Sequence, residues 1–113
     1  MKSSLADVMA RIPGTKTTEW PDGEPFTVAM SHGSMIVEAF APRGVDRQVP
    51  HTQDEIYIVI AGSAELEVSG KRTGATAGDA LFVPAGADHR FHGMTDDFLT
   101  WVVFWGPEGG ETQ

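Results

Sequence analysis

The sequence predicts an all-β domain, a sandwich or a barrel, preceded by one short helix. Short segments rich in β-branched and aromatic residues recur between residues 26 and 105, and turns containing Gly or Pro separate them at near-regular spacing. Many short strands with this spacing are typical of β-sandwiches and β-barrels. The chain has 113 residues, the size of one domain, and we assign residues 1–113 to a single domain.

The first 25 residues are predicted to form a short helix followed by a polar loop. Apolar residues recur there at helical spacing: Leu5, Val8, Met9 and Ile12. Either Ser3 or Ser4 is a suitable N-cap, and Pro13 ends the helix. We expect this helix to pack against the outside of the β-domain.

Eight strands are predicted in the core, which we place at about residues 26–106. Their predicted ranges are 26–30, 35–41, 56–61, 64–68, 72–76, 79–83, 89–92 and 98–105. Residues 107–113 contain Gly, Pro and polar residues, which predicts a flexible tail.

The composition excludes several classes of function. The formal net charge is −8, with 16 acidic and 8 basic residues, and nucleic acids and anionic membranes require a basic surface instead. The chain contains no cysteine, so a metal site must use nitrogen and oxygen ligands. The N-terminus shows no secretory signal, and no apolar run is long enough to span a bilayer. We therefore expect a cytoplasmic protein.

Two histidines and one glutamate form the strongest candidate site. His51 and Glu55 are separated by three residues, and His89 follows a turn that contains Pro and Gly. On an extended segment, residues 51, 53, 55 and 57 face the same side, so His51, Gln53, Glu55 and Tyr57 are expected to point into the barrel unless the chain bends before Glu55.

The segment around His89 resembles the second sequence motif of the cupin superfamily, G-x5-P-x-G-x2-H-x3-N. Gly78, Pro84, Gly86 and His89 occupy the motif positions, and Gly93 stands where the motif has Asn.

The segment around His51 resembles the first cupin motif, G-x5-H-x-H-x3,4-E-x6-G. Glu55 and Gly62 match its last two positions, and His51 takes the second histidine position. Val49 stands at the first histidine position, and Gly44 lies one residue closer than the motif requires.

The resemblance covers about residues 35–105, and the 15 residues between the two motifs are similar to the spacing in small stand-alone bacterial cupins. It implies a double-stranded β-helix, the cupin or jelly-roll barrel, with the ligand pocket inside. Fold alone does not imply function, because cupins include isomerases, dioxygenases, decarboxylases, storage proteins and sensor domains.

The resemblance implies a divalent metal ion bound by His51, Glu55 and His89. Zn, Fe, Mn and Ni are all compatible with these ligands, and three protein ligands leave coordination positions open for a substrate. Gln53 is either a fourth ligand or a residue that hydrogen-bonds substrate or a neighbouring strand. The alternative is a vestigial motif without metal, in which Glu55 hydrogen-bonds a histidine.

Further assignments concern the residues of the pocket. Glu55 and Tyr57 are the candidate catalytic residues, although a tyrosine inside a barrel is often a core residue. The candidate substrate-binding residues are Gln53, Tyr57, Phe91 and Trp101. Both faces of the last strand are apolar, so Trp101 forms either an aromatic wall of the pocket or part of a strand buried on both sides or at a dimer interface.

Two functions are compatible with this sequence. The first is a metal-dependent enzyme that acts on a small polar molecule by oxygenation, isomerisation or decarboxylation. The second is a non-catalytic cupin that binds or senses a small molecule, which the missing first histidine favours. A homodimer is expected, because the last strand is long and apolar and the core is small.

Overall fold

The computed structural model describes residues 1–112, which form one short helix and eight strands. The elements are α1 (Leu5–Met9), β1 (Phe26–His32), β2 (Met35–Phe40), β3 (Asp54–Ala61), β4 (Ser63–Val68), β5 (Lys71–Thr76), β6 (Ala80–Val83), β7 (His89–His92) and β8 (Leu99–Trp105). The all-β prediction with a short N-terminal helix is confirmed. None of the helices described in residues 1–112 is long and apolar enough to cross a membrane.

The strands form two antiparallel sheets that face each other. The first sheet has the order β1-β2-β8-β3-β6, and the second has the order β5-β4-β7. Side chains alternate between the two faces of each strand, so every strand sends about half of its residues between the sheets. This arrangement is the double-stranded β-helix that the sequence predicts.

The main core lies between the sheets and is rich in aromatic side chains. Its buried residues include Phe40, Tyr57, Leu66, Phe91, Phe98, Val102 and Phe104. A smaller cluster covers the outer face of the first sheet, where Val8 of α1 packs near Ala39, Ala41 and Leu99. Ser4 caps α1 by accepting a hydrogen bond from the Asp7 amide at 3.2 Å, and the helix thus packs against the barrel as expected.

Gly62, between β3 and β4, allows the chain to turn from one sheet to the other. Its φ is +72°, and a Cβ atom there would lie 2.6 Å from Asp97 Oδ1 and 2.8 Å from Phe98 Cα. Only glycine fits both the backbone conformation and the space, which gives the last glycine of the first motif a structural reason.

The segment after β8 is held against the chain, contrary to the flexible tail predicted for residues 107–113. The Gly109 amide donates to the Thr52 carbonyl at 2.7 Å. The Glu111 amide donates to Asp54 Oδ2 at 2.9 Å. The prediction used composition alone and missed that these amides find acceptors at the start of β3. Gln113 lies outside the described residues.

Candidate functional site

A cavity of about 200 Å³ opens on the inner face of the first sheet. It is lined by Trp20, Phe26, Glu38, Phe40, Gln48, Val49, His51, Tyr57, Val102 and Phe104. A larger groove of about 510 Å³ lies outside the barrel, between α1 and residues 41–47. The groove contains none of the predicted site residues, so the inner cavity is the candidate site.

Glu55 and His89 lie together behind the wall of this cavity. Glu55 is on β3 and His89 begins β7, and each is 1% exposed. His89 Nε2 lies 2.6 Å from Glu55 Oε1. The His89 ring is 6.3 Å from the Tyr57 ring and 6.4 Å from the His51 ring, measured between centroids. The two motifs therefore meet across the barrel interior.

The hydrogen bond at the other ring nitrogen of His89, Nδ1, determines which nitrogen of the neutral ring carries the proton. His89 Nδ1 lies 2.8 Å from the Ala87 carbonyl oxygen, which only accepts, so Nδ1 carries the proton. In the neutral ring, Nε2 then presents a lone pair to the carboxylate. Glu55 Oε1 and Oε2 and His89 Nε2 are buried without a hydrogen-bond partner in the described chain.

Two lone-pair donors at this distance repel each other unless they share a cation, either a proton on His89 or a metal ion bound by both atoms. Burial is the largest single cause and lowers the pKa of His89, but Glu55, the Ala87 carbonyl and Asp46 together raise it by more, so the pKa lies above its ordinary value. Burying a carboxylate in an apolar interior without a cation or a hydrogen-bond donor costs free energy. The donor set of this buried pair therefore fits a bound cation.

His51 lies in the loop before β3, close to the pair. Its carbonyl accepts a hydrogen bond from the Gly86 amide at 2.7 Å, and its ring packs on Phe104 with centroids 4.3 Å apart. Burial lowers the pKa of His51, although Glu55 acts in the opposite direction. Across residues 1–112, no three His, Asp or Glu side chains are arranged as ligands of one metal ion.

A hydrogen-bond network fixes the polar wall beside the pair. Tyr57 donates its hydroxyl proton to Gln48 Oε1 at 3.0 Å, and Gln48 Nε2 donates to Asp46 Oδ2 at 2.6 Å. Asp46 also accepts from the Phe91 amide at 2.8 Å, which ties the loop to β7. Burial raises the pKa of Tyr57 well above its ordinary value, so its hydroxyl is neutral at physiological pH.

Glu38, on β2, is a cavity residue that the sequence reasoning missed. Burial is the main cause that raises the pKa of its carboxyl group from 4.5 to about 7, and the nearby Glu55 and Glu24 add to the shift. The available signal was a single charge in an otherwise apolar strand. Gln48 and Trp20 were missed as well, because both lie in loops whose position the strand pattern does not predict.

Three predicted substrate-binding residues lie outside the cavity wall. Gln53 donates to the carbonyls of Ser34 and Gly106 at 2.9 Å each, because the chain bends at residues 52–53 and β3 begins only at Asp54. The structure thus shows Gln53 bonded to a neighbouring turn and a strand end, away from His51 and Glu55.

Phe91 and Trp101 pack in the core and on the outer face of the first sheet, away from the cavity. Phe91 is buried in the core with its ring 4.8 Å from those of Tyr57 and Phe98. Trp101 packs with the α1 cluster on the outer face of the first sheet, since Val102 and Phe104 occupy the inner face of β8. Of the four residues, Tyr57 alone is among the described residues that line the cavity.

Sequence comparison identifies the family. A cupin domain matches residues 36–105, more than half of the chain. The chain belongs to the cupin family. This cupin carries the second motif in the turn before β7 and the first motif at the start of β3, where the geometry described above brings them together.

Individual relatives agree with this assignment. An uncharacterised protein of Streptomyces coelicolor is 43% identical over 63 residues, which cover 56% of this chain and 60% of that protein. A cupin 2 conserved barrel domain protein from Salinispora arenicola is 27% identical, with a TM-score of 0.62 over 72% of this chain and 74% of that one. KdgF from Halomonas sp. shares the fold, with 22% identity and a TM-score of 0.63 over 71% and 77% of the two chains.

Proposed function

We propose that this cupin is a metal-dependent enzyme that acts on a small polar molecule, with His51, Glu55 and His89 as the metal ligands. The observation that supports this function best is the buried contact between Glu55 and His89, whose Oε1 and Nε2 atoms lie 2.6 Å apart. Metal-binding histidines commonly donate their second ring nitrogen to a carbonyl, as His89 does to Ala87.

The ligand types limit the metal without naming it. Two imidazoles and a carboxylate suit Zn, Fe, Mn or Ni, and a bound ion of this kind supplies Lewis acidity that polarises a carbonyl group or orients dioxygen. His51 is the third donor of the proposed set, and its ring centroid lies 6.4 Å from that of His89.

The other residues bind and orient the substrate. Tyr57 lines the cavity with a neutral hydroxyl whose proton is donated to Gln48, which leaves its oxygen to accept a hydrogen bond from an O–H or N–H group of the substrate. Glu55 is the candidate general base when its carboxylate leaves the metal, because no residue of the described chain except His89 lies close enough to neutralise it by an ion pair. Oxygenation, isomerisation and decarboxylation are all compatible with these roles.

The metal content of the purified protein tests the proposal. We expect near-stoichiometric metal in the parent after incubation with Fe(II), Mn, Ni or Zn, and a large loss in His51→Ala and in His89→Ala. His92→Ala is the matched control, because His92 lies on the same strand but contacts Glu67 on the outside of the barrel. Absence of metal from the parent in every incubation overturns the proposal.

A second candidate function is a non-catalytic cupin that binds or senses a small molecule. Val49 in place of a histidine favours it, as does the lack of a ready three-ligand cluster in residues 1–112. A substrate panel assayed with each metal form distinguishes the two functions. Thermal stabilisation by a ligand, without turnover in any metal form, supports the binding protein.

A further inference from the structure

Aromatic side chains make up about half of the residues that line the inner cavity. Trp20 meets Phe26 at 76° and Phe40 at 81°, with centroids 6.2 and 6.5 Å apart. Phe26 and Phe40 are tilted by 59° at 6.5 Å. Rings at such steep angles do not form a flat stack, and all three line the cavity. Tyr57 and Phe104 add two further aromatic walls.

Two polar side chains of the cavity, those of Gln48 and Tyr57, are already hydrogen-bonded within the protein. Gln48 uses both ends of its amide, one with Tyr57 and one with Asp46. The Glu38 carboxyl group, in contrast, makes no hydrogen bond or ion pair with residues 1–112. Of the described residues that line the cavity, none is Lys or Arg. In the metal-free protein, an anionic ligand would therefore meet Glu38 without a Lys or Arg side chain among the described lining residues.

We propose that the cavity selects a small organic cation, an alkylammonium group held between the Glu38 carboxylate and the surrounding aromatic rings. Aromatic faces attract cations through their quadrupole, most strongly when the cation is desolvated. The volume of about 200 Å³ is below the roughly 300–1,000 Å³ of common ligand sites, which favours a ligand of few atoms. This inference deepens the proposed function and rests on it only in taking the same cavity as the ligand site.

The experiment compares choline with 3,3-dimethylbutan-1-ol, which has the same shape but carbon in place of the charged nitrogen. Binding of both compounds to the metal-free protein is measured by calorimetry at pH 8, where Glu38 is mostly ionised. We expect choline to bind at least tenfold more tightly than the neutral alcohol. Glu38→Gln should reduce the choline affinity at least tenfold and leave the alcohol unchanged.

Two further variants keep the test decisive. Glu65→Gln makes the same change on the exposed outside of the barrel and should not affect choline binding. Trp20→Leu removes one ring without touching Glu38 and should weaken choline binding several-fold. Thermal unfolding curves establish that each variant is folded. Equal affinity for the two compounds, full choline affinity in Glu38→Gln, or no choline binding to the parent overturns the inference.

The metal content of the parent protein after incubation with Fe(II), Mn, Ni or Zn separates this inference from the proposed function. A parent protein that binds choline but no metal supports the cation site and overturns the metal-dependent enzyme. A parent protein that binds metal but does not distinguish choline from the alcohol supports the metal-dependent enzyme and overturns the cation site.

Discussion

Strand β7 carries a histidine at each end, and each histidine contacts a glutamate. His89 lies 2.6 Å from Glu55 in the barrel interior, and the two side chains are 0% and 1% exposed. His92 lies 3.0 Å from Glu67 on the outside, with side chains 30% and 25% exposed. Glu67 also contacts Arg72 at 3.4 Å. The same two residue types thus occur on one strand in opposite environments.

The difference shows that burial, and not residue type, makes a histidine–glutamate pair a candidate site. The outer pair is partly exposed to water, and Arg72 forms an ion pair with its glutamate. Its polar atoms therefore have partners without a bound ligand. The inner pair keeps polar atoms without partners, and a buried polar group without a partner is costly unless a function requires it. Glu38 extends the contrast, because it faces the cavity while Glu65 and Glu67 face solvent and Arg72.

Metal binding should give the largest difference between the two pairs. At a metal concentration a thousandfold above Kd, binding to the folded state stabilises a protein by about 4 kcal/mol. We expect this gain in chemical unfolding of the parent and of His92→Ala, but not of His89→Ala. Equal gains in the two histidine variants would remove the distinction between the pairs.

The second effect concerns Glu38 and pH in the metal-free protein. Its pKa rises from 4.5 to about 7 on folding, so the folded state binds more protons than the unfolded state between these values. The parent therefore loses stability as pH rises from 4.5 to 7, by about 3 kcal/mol in total. Glu38→Gln is neutral at every pH and avoids this loss.

The measurement is the difference in unfolding free energy between Glu38→Gln and the parent across pH 4 to 8. We expect almost no difference at pH 4 and the full difference above pH 7, in favour of the variant. Glu65→Gln, on the solvent-facing side, is the control and should show no such trend. A flat profile for Glu38→Gln would show that the carboxyl group is well solvated.

The third effect is the cost of the buried pair without metal. Replacing a buried ionic pair by apolar side chains of similar size is neutral or stabilising by about 1–4 kcal/mol. Glu55→Leu combined with His89→Leu should therefore make the metal-free protein at least as stable as the parent in urea unfolding. A clear loss of stability would mean that the pair is a structural ion pair and not a strained site.

The smallest effect should come from the outer pair. Exposed ion pairs contribute about 0.2–1 kcal/mol, so a double-mutant cycle of His92→Gln and Glu67→Gln should give a coupling energy in that range. Salt screens exposed charges, and the coupling should therefore fall further at 1 M NaCl. A coupling above about 2 kcal/mol would place this pair in the same class as the inner one.

Much of this molecule follows from local patterns in the chain. Period-two alternation places His89 inside and His92 outside on β7, and the capping serine and helical spacing predict α1. The spacing of Gly78, Pro84 and Gly86 before His89 predicts the turn whose amide holds His51 in place. These features depend on neighbours within a few residues, so the sequence is sufficient to predict them.

Long-range packing determines the remaining features. Alternation divides β8 into two apolar faces but does not tell which face becomes the cavity, and α1 covers the face that bears Trp101. Gln53 leaves the expected face because the chain bends before β3 begins. Glu38 enters the cavity only because β2 pairs with β8 and the loop that carries Trp20 closes over it. Side-chain environment depends on contacts between distant segments, which a local pattern does not contain.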